Sequence, residues 1–67
     1  MVITVNDARR EVPPTFTVGA LVHELGLGEQ GGIAVALNDC VVPRSSWASQ
    51  ELREADRVVV LKAVAGG

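Results

Sequence analysis

The sequence has 67 residues, which is the length of one small domain and leaves little interior in which to enclose a substrate. Its hydrophobic fraction of 48% predicts a folded chain, and its aromatic fraction of 3% predicts an aliphatic core. Six basic and eight acidic residues give a net charge of −2 without a basic cluster, which argues against nucleic-acid binding and against a membrane-surface helix.

The single cysteine, Cys40, bears on the compartment. One cysteine forms no internal disulfide, whereas small secreted domains usually hold several. The N-terminal residues show no secretion signal, and the apolar runs are far shorter than the roughly 20 residues that cross a bilayer. We therefore expect a soluble protein of the cytoplasm, with Cys40 as an inert residue of a turn.

The chain begins with the pattern of a β-hairpin. Val2–Val5 is rich in β-branched residues and predicts a strand, and Asn6 and Asp7 predict a tight turn. Residues 8–12 then form the second arm. Their charged stretch predicts an edge strand, and the prolines at 13 and 14 end the pairing.

A short amphipathic helix follows. Thr17 is a good N-cap, and Gly26 stands where a left-handed C-terminal cap belongs. The apolar residues between them fall on one helical face: Val18, Leu21, Val22 and Leu25. A helix of about eight residues is unstable alone, so we expect it to lie on a sheet.

The second half of the chain predicts further strands. After a glycine-rich connection over residues 26–32, residues 33–38 alternate large and small side chains, with the large ones toward the helix. Residues 38 and 39 predict a turn, and residues 41 and 42 a short strand ended by Pro43. An irregular stretch over residues 44–53, with a turn of helix around Trp47, precedes an apolar central strand over residues 58–64.

These elements predict an α+β domain in which one main helix packs across a mixed sheet of four to five strands. We expect the domain to span residues 1–64 and a flexible tail to span residues 65–67. The core strand feeds directly into Ala65, Gly66 and Gly67.

The tail is the part of the sequence that carries chemistry. Glycine lacks Cβ, so the segment is thin enough to thread a narrow channel and present the Gly67 carboxylate roughly 10 Å beyond Val64. A carboxylate is a poor electrophile until adenylation by ATP gives it a good leaving group. The alternative to a tail that presents a reactive carboxylate is a frayed chain end without a function.

Other residues with reactive side chains offer weaker sites. The glycine pattern at residues 26–31 matches a dinucleotide fingerprint, but it follows a helix and precedes a strand, which is the reverse of the required context. No grouping of residues has metal-ligand spacing. We expect these polar residues to be solvated: His23, Glu51, Glu54 and Asp56.

Two features suggest packing or a partner surface. Trp47 is either a core residue or an exposed anchor for a partner, and its area favours the core. Ala34 and Ala36, with one side of the last strand through Val64, predict a shallow apolar patch on the sheet face away from the helix. Such a patch suits a partner interface.

Over essentially its whole length the chain resembles the ThiS family of ubiquitin-like β-grasp sulfur carriers in thiamine biosynthesis. The tail is shared with other ubiquitin-like carriers, whereas the Val-Pro-Arg-x-x-Trp stretch favours the thiamine branch. The resemblance is carried by residues 3–6, 17–18 and 33–38, by Val42, Pro43, Arg44 and Trp47, and by residues 64–67.

The resemblance implies a carrier that is a protein co-substrate and not an enzyme, monomeric when free and without a bound cofactor. A ThiF-like adenylyltransferase would use ATP to adenylate Gly67. Sulfur from a cysteine desulfurase or another donor would then give a thiocarboxylate, which a ThiG-like thiazole synthase would consume. The alternatives are a MoaD-like carrier for molybdopterin synthesis, a ubiquitin-like binding module with an incidental tail, and a tag conjugated to lysines.

Overall fold

The computed structural model describes residues 1–28 and 31–62, which contain five strands, one α-helix and a short 3₁₀ helix. The strands are β1 (Val2–Val5), β2 (Ala8–Glu11), β3 (Ile33–Leu37), β4 (Cys40–Val42) and β5 (Arg57–Lys62), and the α-helix is α1 (Val18–Glu24). The 3₁₀ helix spans Arg44–Ser46. None of the helices in the described ranges is long and apolar enough to cross a membrane.

The five strands form one mixed sheet in the order β2-β1-β5-β3-β4. Strand β5 lies in the centre, parallel to β1 and antiparallel to β3. The two hairpins β1-β2 and β3-β4 therefore flank the last strand, and β2 is an edge strand. The predicted α+β architecture and the predicted edge and central positions of these strands are confirmed.

Both hairpins turn through the same dipeptide. Asn6 and Asp7 have φ angles of 51° and 69°, and Asn38 and Asp39 have φ angles of 50° and 71°. Two successive left-handed residues form the tight hairpin turn that matches the twist of the strands, and Asn and Asp tolerate this conformation better than most residues. The predicted turns are confirmed.

Helix α1 begins and ends as the sequence indicates. The Thr17 side chain accepts a hydrogen bond from the Ala20 amide at 3.1 Å. Gly26 has a φ of 77°, and the Leu27 amide donates to the Val22 carbonyl at 3.1 Å, which closes the helix in a Schellman-type cap. Leu25 is the C-cap residue, so the helix has seven residues and is one residue shorter than predicted.

The core lies between α1 and the sheet and is entirely apolar in the described residues. Burying aliphatic side chains on both layers supplies the main stabilising free energy of a domain this small. The buried residues are Ile3, Val5, Val12, Phe16, Val18, Leu21, Val22, Ile33, Val35, Val42, Trp47, Leu52, Val58 and Val60. The predicted inward face of β3 is confirmed, although Leu37 is only partly buried.

Trp47 is a core residue and not an exposed anchor. Its side chain is 7% exposed, and its indole N–H donates to the Val42 carbonyl at 2.9 Å. The guanidinium of Arg44 stacks 4.9 Å from the ring centroid and donates to the Gly28 carbonyl at 3.0 Å. This stretch therefore closes one side of the core and fastens the chain that follows α1.

One strained residue gives a test of the fold. Ala55 has a φ of 70°, where a side chain costs about 1–2 kcal/mol. We expect Ala55→Gly to raise the free energy of unfolding in urea by about 0.5–1 kcal/mol, because the relief of strain exceeds the added entropy of the unfolded chain. The exposed Ala48, outside the left-handed region, is the matched control, and Ala48→Gly should lower that free energy. Equal changes in the free energy of unfolding for the two substitutions would show that Ala55 is not strained.

Candidate functional site

The candidate site is the run of chain that leaves the centre of the sheet through β5. The predicted reactive residue Gly67 and the tail residues Ala65 and Gly66 lie outside the described residues, as does Val64. Lys62 is the last described residue, and it pairs with Ile33 of β3. What the structure describes is therefore the strand that precedes these residues in the chain.

Two asparagine side chains fasten β5 to the hairpin turns. Asn6 accepts a hydrogen bond from the Val60 amide at 2.8 Å and donates to the Val60 carbonyl at 3.2 Å. Asn38 accepts from the Arg57 amide at 2.9 Å. The backbone amides of the same asparagines donate to β5 carbonyls, Asn6 to Val58 and Asn38 to Arg57.

The Asn6 contact matters because β1 is short beside β5. The parallel pairing of β1 with β5 covers only Arg57 and Val58. Beyond it, the Asn6 amide group takes the place of a neighbouring strand and satisfies both backbone groups of Val60. The central strand is thus held on its β1 side to within two residues of Lys62.

The face of the sheet away from α1 carries an apolar patch, which we call the outer patch and define as Ala34, Ala36, Val41, Val59 and Leu61. The strand registers bring these residues together: Ala34 pairs with Leu61, and Ala36 pairs with both Val59 and Val41. Val41 is 75% exposed and Leu61 is 62% exposed. Exposed aliphatic side chains gathered on one surface are typical of a partner interface.

Part of this patch is predicted from the sequence, namely Ala34, Ala36 and one side of the last strand, and the registers place these residues next to one another. Val41 is not among the predicted residues, although the alternation of β4 around the buried Val42 indicates that Val41 points outward. Only the pairing of β4 with β3 shows that Val41 lies beside Ala36.

The other reactive side chains do not assemble into a site. Within the described ranges there is no group of three or more potential metal ligands. His23 and Cys40 are both exposed. Cys40 is the first residue of β4 and pairs with Leu37, so its predicted place in the turn is wrong, because Asn38 and Asp39 complete the turn.

The acidic residues near the end of the chain have structural partners. Glu54 accepts a hydrogen bond from the Val2 amide at 2.9 Å, and Asp56 accepts from the Arg53 amide at 2.7 Å and from the Asn38 side chain at 3.0 Å. Glu51 is exposed and forms an isolated β-bridge with Thr17. These contacts order the connection into β5.

The glycine pattern at residues 26–31 has the wrong surroundings for a dinucleotide, since α1 precedes it and β3 follows it. The start of α1 is also occupied. The Val18 amide donates to the Gln50 carbonyl and the Gly19 amide to the Trp47 carbonyl, both at 2.9 Å.

Comparison with known proteins identifies the fold class of the chain. A five-stranded mixed sheet crossed by one helix, with its last strand in the centre, defines a ubiquitin-like β-grasp domain. The crystal structure of thiamine biosynthesis protein ThiS from Geobacter metallireducens superposes with a TM-score of 0.83 at 26% identity, and the match covers the whole of both chains.

Sequence comparison gives the family. The family model described as the ThiS family matches residues 3–67. The sulfur carrier protein ThiS of Escherichia coli is 33% identical over 67 residues, which is the full length of both proteins. The chain therefore belongs to the ThiS family, whose members are sulfur carriers of thiamine biosynthesis and not enzymes.

A second relative is much longer. A thiazole synthase of Paramagnetospirillum magneticum is 31% identical over 67 residues, which are all of this chain but 20% of that protein. A segment similar to this chain thus forms about one fifth of that protein.

The Asn6 contact gives a test of how β5 is held. We expect Asn6→Gly to lower the free energy of unfolding by about 1–2 kcal/mol, because both backbone groups of Val60 lose a partner while the left-handed turn is kept. Amide hydrogen exchange at Val60 should also accelerate. The matched control is Asp7→Gly at the next turn position, which should leave Val60 exchange unchanged. Equal rates of amide hydrogen exchange at Val60 in the Asn6→Gly and Asp7→Gly variants would rule out the hydrogen bonds from Asn6 to Val60.

Proposed function

We propose that Gly67 is the residue that carries sulfur. In the first step its carboxylate attacks the α-phosphorus of ATP on a ThiF-like adenylyltransferase, and pyrophosphate leaves. In the second step the terminal sulfur of a protein persulfide, charged by a cysteine desulfurase or another donor, displaces AMP and gives an acyl disulfide at Gly67. A thiol of the partner protein then attacks the partner sulfur of that bond, so that a protein disulfide forms and the Gly67 thiocarboxylate is released. ATP is a substrate of the partner, so this chain needs no cofactor of its own.

The observation that carries this proposal is the family match, which extends through residue 67. The full-length similarity to the Escherichia coli sulfur carrier likewise includes Gly66 and Gly67. The hydrogen bonds at Val60 and the pairing of Lys62 with Ile33 add support, because they hold the strand that precedes the tail. We propose a domain over residues 1–64 and a tail over residues 65–67.

A ThiG-like thiazole synthase is the proposed acceptor. The thiazole synthase of Paramagnetospirillum magneticum contains a segment similar to this chain. Two units on one polypeptide meet at a high effective concentration, which suits a carrier and the enzyme it supplies. This similarity favours the thiazole reaction over molybdopterin synthesis as the destination of the sulfur.

The outer patch is the proposed docking surface for these partners, with Ala34 and Ala36 at its centre, and we propose that Val64, which lies outside the described residues, also contacts them. Its exposed large side chains, Val41 and Leu61, lose contact with water when a partner covers them. Docking beside the origin of the tail aims Gly67 at the partner's reacting groups and raises the local concentration of the sulfur. We propose that the free chain is a monomer of the cytoplasm, where Cys40 stays reduced.

Deletion of Gly67 tests the reactive residue. We expect the truncated protein to keep its urea unfolding curve but to gain no sulfur when incubated with ATP, a sulfur donor and a ThiF-like enzyme. Intact-protein mass spectrometry should show one oxygen replaced by one sulfur in the full-length protein and no such change in the truncated protein.

The same experiment separates the other candidate functions. A mass unchanged with the cognate activating enzyme would indicate a binding module, and a ladder of conjugates would indicate a tag. Consumption of the thiocarboxylate by the large molybdopterin synthase subunit, and not by thiazole synthase, would show a MoaD-like carrier.

The substitution Leu61→Asp tests the outer patch. We expect it to raise the KM of the activating enzyme for the carrier by about tenfold, because a charge replaces an exposed aliphatic side chain in the interface. The exposed Ser45, on the 3₁₀ helix, is the control, and Ser45→Asp should leave KM unchanged. Unchanged kinetics in Leu61→Asp, with the fold intact, would exclude the patch as the docking surface.

A further inference from the structure

A second surface lies on the opposite face of the sheet, beyond the C-terminal end of α1. There the helix does not cover the strands, and a pocket with a volume of about 360 Å³ remains. Its floor is apolar, formed by the nearly buried Val5 and Val60. Leu25 and Leu27, held by the cap of α1, form its wall.

Two cations stand on the face of the sheet that holds this pocket, Arg10 opposite the buried Ile3 and Lys62 two residues after the buried Val60. Arg9 also lines the pocket, but it lies opposite Thr4, so its side chain is on the other face of the sheet, beside the edge of β2. Arg10 forms an ion pair with Glu24 at 2.7 Å. The ion pairs found in the described residues do not use Arg9 or Lys62, and both residues are exposed. The edge of β2 therefore offers an apolar pocket on one face of the sheet and the Arg9 cation on the other.

The edge of β2 adjoins the pocket. Met1 and Val12 exchange two backbone hydrogen bonds, at 2.8 and 2.9 Å. Because hydrogen-bonded and non-hydrogen-bonded pairs alternate along an antiparallel ladder, the backbone groups of Arg9 and Glu11 point away from β1 toward the open edge. An open edge of this kind pairs with an added extended segment.

Ala8 connects the edge with the pocket. It lies directly opposite Val5, so both side chains are on the face that α1 covers. Ala8 is exposed and lines the pocket. Because its side chain is only a methyl group, a longer aliphatic side chain from a segment beside β2 has room to pass over it onto the apolar floor.

We propose that the β2 edge and this pocket together bind an extended acidic segment of a partner protein. The segment adds as a strand beside β2, its backbone pairs with Arg9 and Glu11, and an aliphatic side chain enters the pocket over Ala8. Its carboxylates alternate with the aliphatic side chains and therefore lie on the other face of the sheet, toward Arg9. A small anion would use Arg9 but not the backbone edge of β2, which has no partner strand among the described residues, so a peptide segment accounts for more of the surface. This site goes beyond the proposed sulfur transfer and does not involve the outer patch.

The test is an NMR titration of the full chain with a defined probe. The probe is an acetylated, amidated pentapeptide with valine at the odd positions and glutamate and aspartate at the even ones. We expect amide shifts confined to β2, Leu25, Leu27 and Val60. A peptide with lysine at both even positions is the control for charge. Equal binding of the lysine peptide, or shifts spread over the outer patch, would overturn the proposal.

Substitutions then separate charge from backbone pairing. We expect Arg9→Glu to weaken probe binding by about fivefold, as when an exposed ion pair becomes a repulsion, and Arg53→Glu, away from β2, to have no effect. Glu11→Pro should abolish binding because it removes an outward N–H, while Glu11→Gln, which removes the same charge, should not. Equal binding by the Pro and Gln variants would exclude strand addition.

Titration with inorganic phosphate completes the test. Phosphate should leave the amides of β2 unchanged at the concentration where the peptide saturates. The same shifts with phosphate as with the peptide would identify a small-anion site and overturn the proposal.

Discussion

The pairing of β5 in the middle of the sheet is the constraint on which the rest of the structure depends. A central strand must satisfy its backbone groups on both sides, and the neighbour β1 pairs with β5 only at Arg57 and Val58. The fold meets this requirement with the Asn6 side chain at Val60 and the β3 ladder as far as Lys62. Because Asn6 is also one of the two left-handed residues of the hairpin turn, the same residue helps to reverse the first hairpin and holds the central strand β5.

Because the core is small, hydrogen bonds hold the ends of the helix and strands in place. A chain of 67 residues has few side chains to bury, so the ends of its elements are held by backbone hydrogen bonds instead. The carbonyls of Trp47 and Gln50 receive the first amides of α1, and the Trp47 indole is bonded to the carbonyl of Val42. The irregular segment between β4 and β5 thus joins the helix to the sheet, and a substitution there would affect both layers.

The sequence predicts the turns and helix ends, which depend on neighbouring residues. It does not predict the contacts between residues that are far apart in the chain. The two Asn-Asp turns, the Thr17 cap and the left-handed Gly26 follow from local backbone preferences, and the structure contains all four. The bonds from Asn6 to Val60 join residues 54 positions apart, and no local pattern indicates them. The place of Val41 beside Ala36 and the pocket over β2 also depend on strand order.

The two surfaces lie on opposite faces of the same sheet, and this has a mechanistic consequence. Neighbouring residues of β5 point to opposite sides, so Leu61 belongs to the outer patch and Lys62 to the pocket beside β2. A partner that covers the outer patch therefore leaves the pocket exposed, and the reverse also holds. If both surfaces are used as proposed, a carrier can be held through β2 while its outer patch is passed from the proposed activating enzyme to the proposed acceptor of the sulfur. Binding through two separate surfaces also raises the local concentration of the second partner without any new contact at the reacting carboxylate.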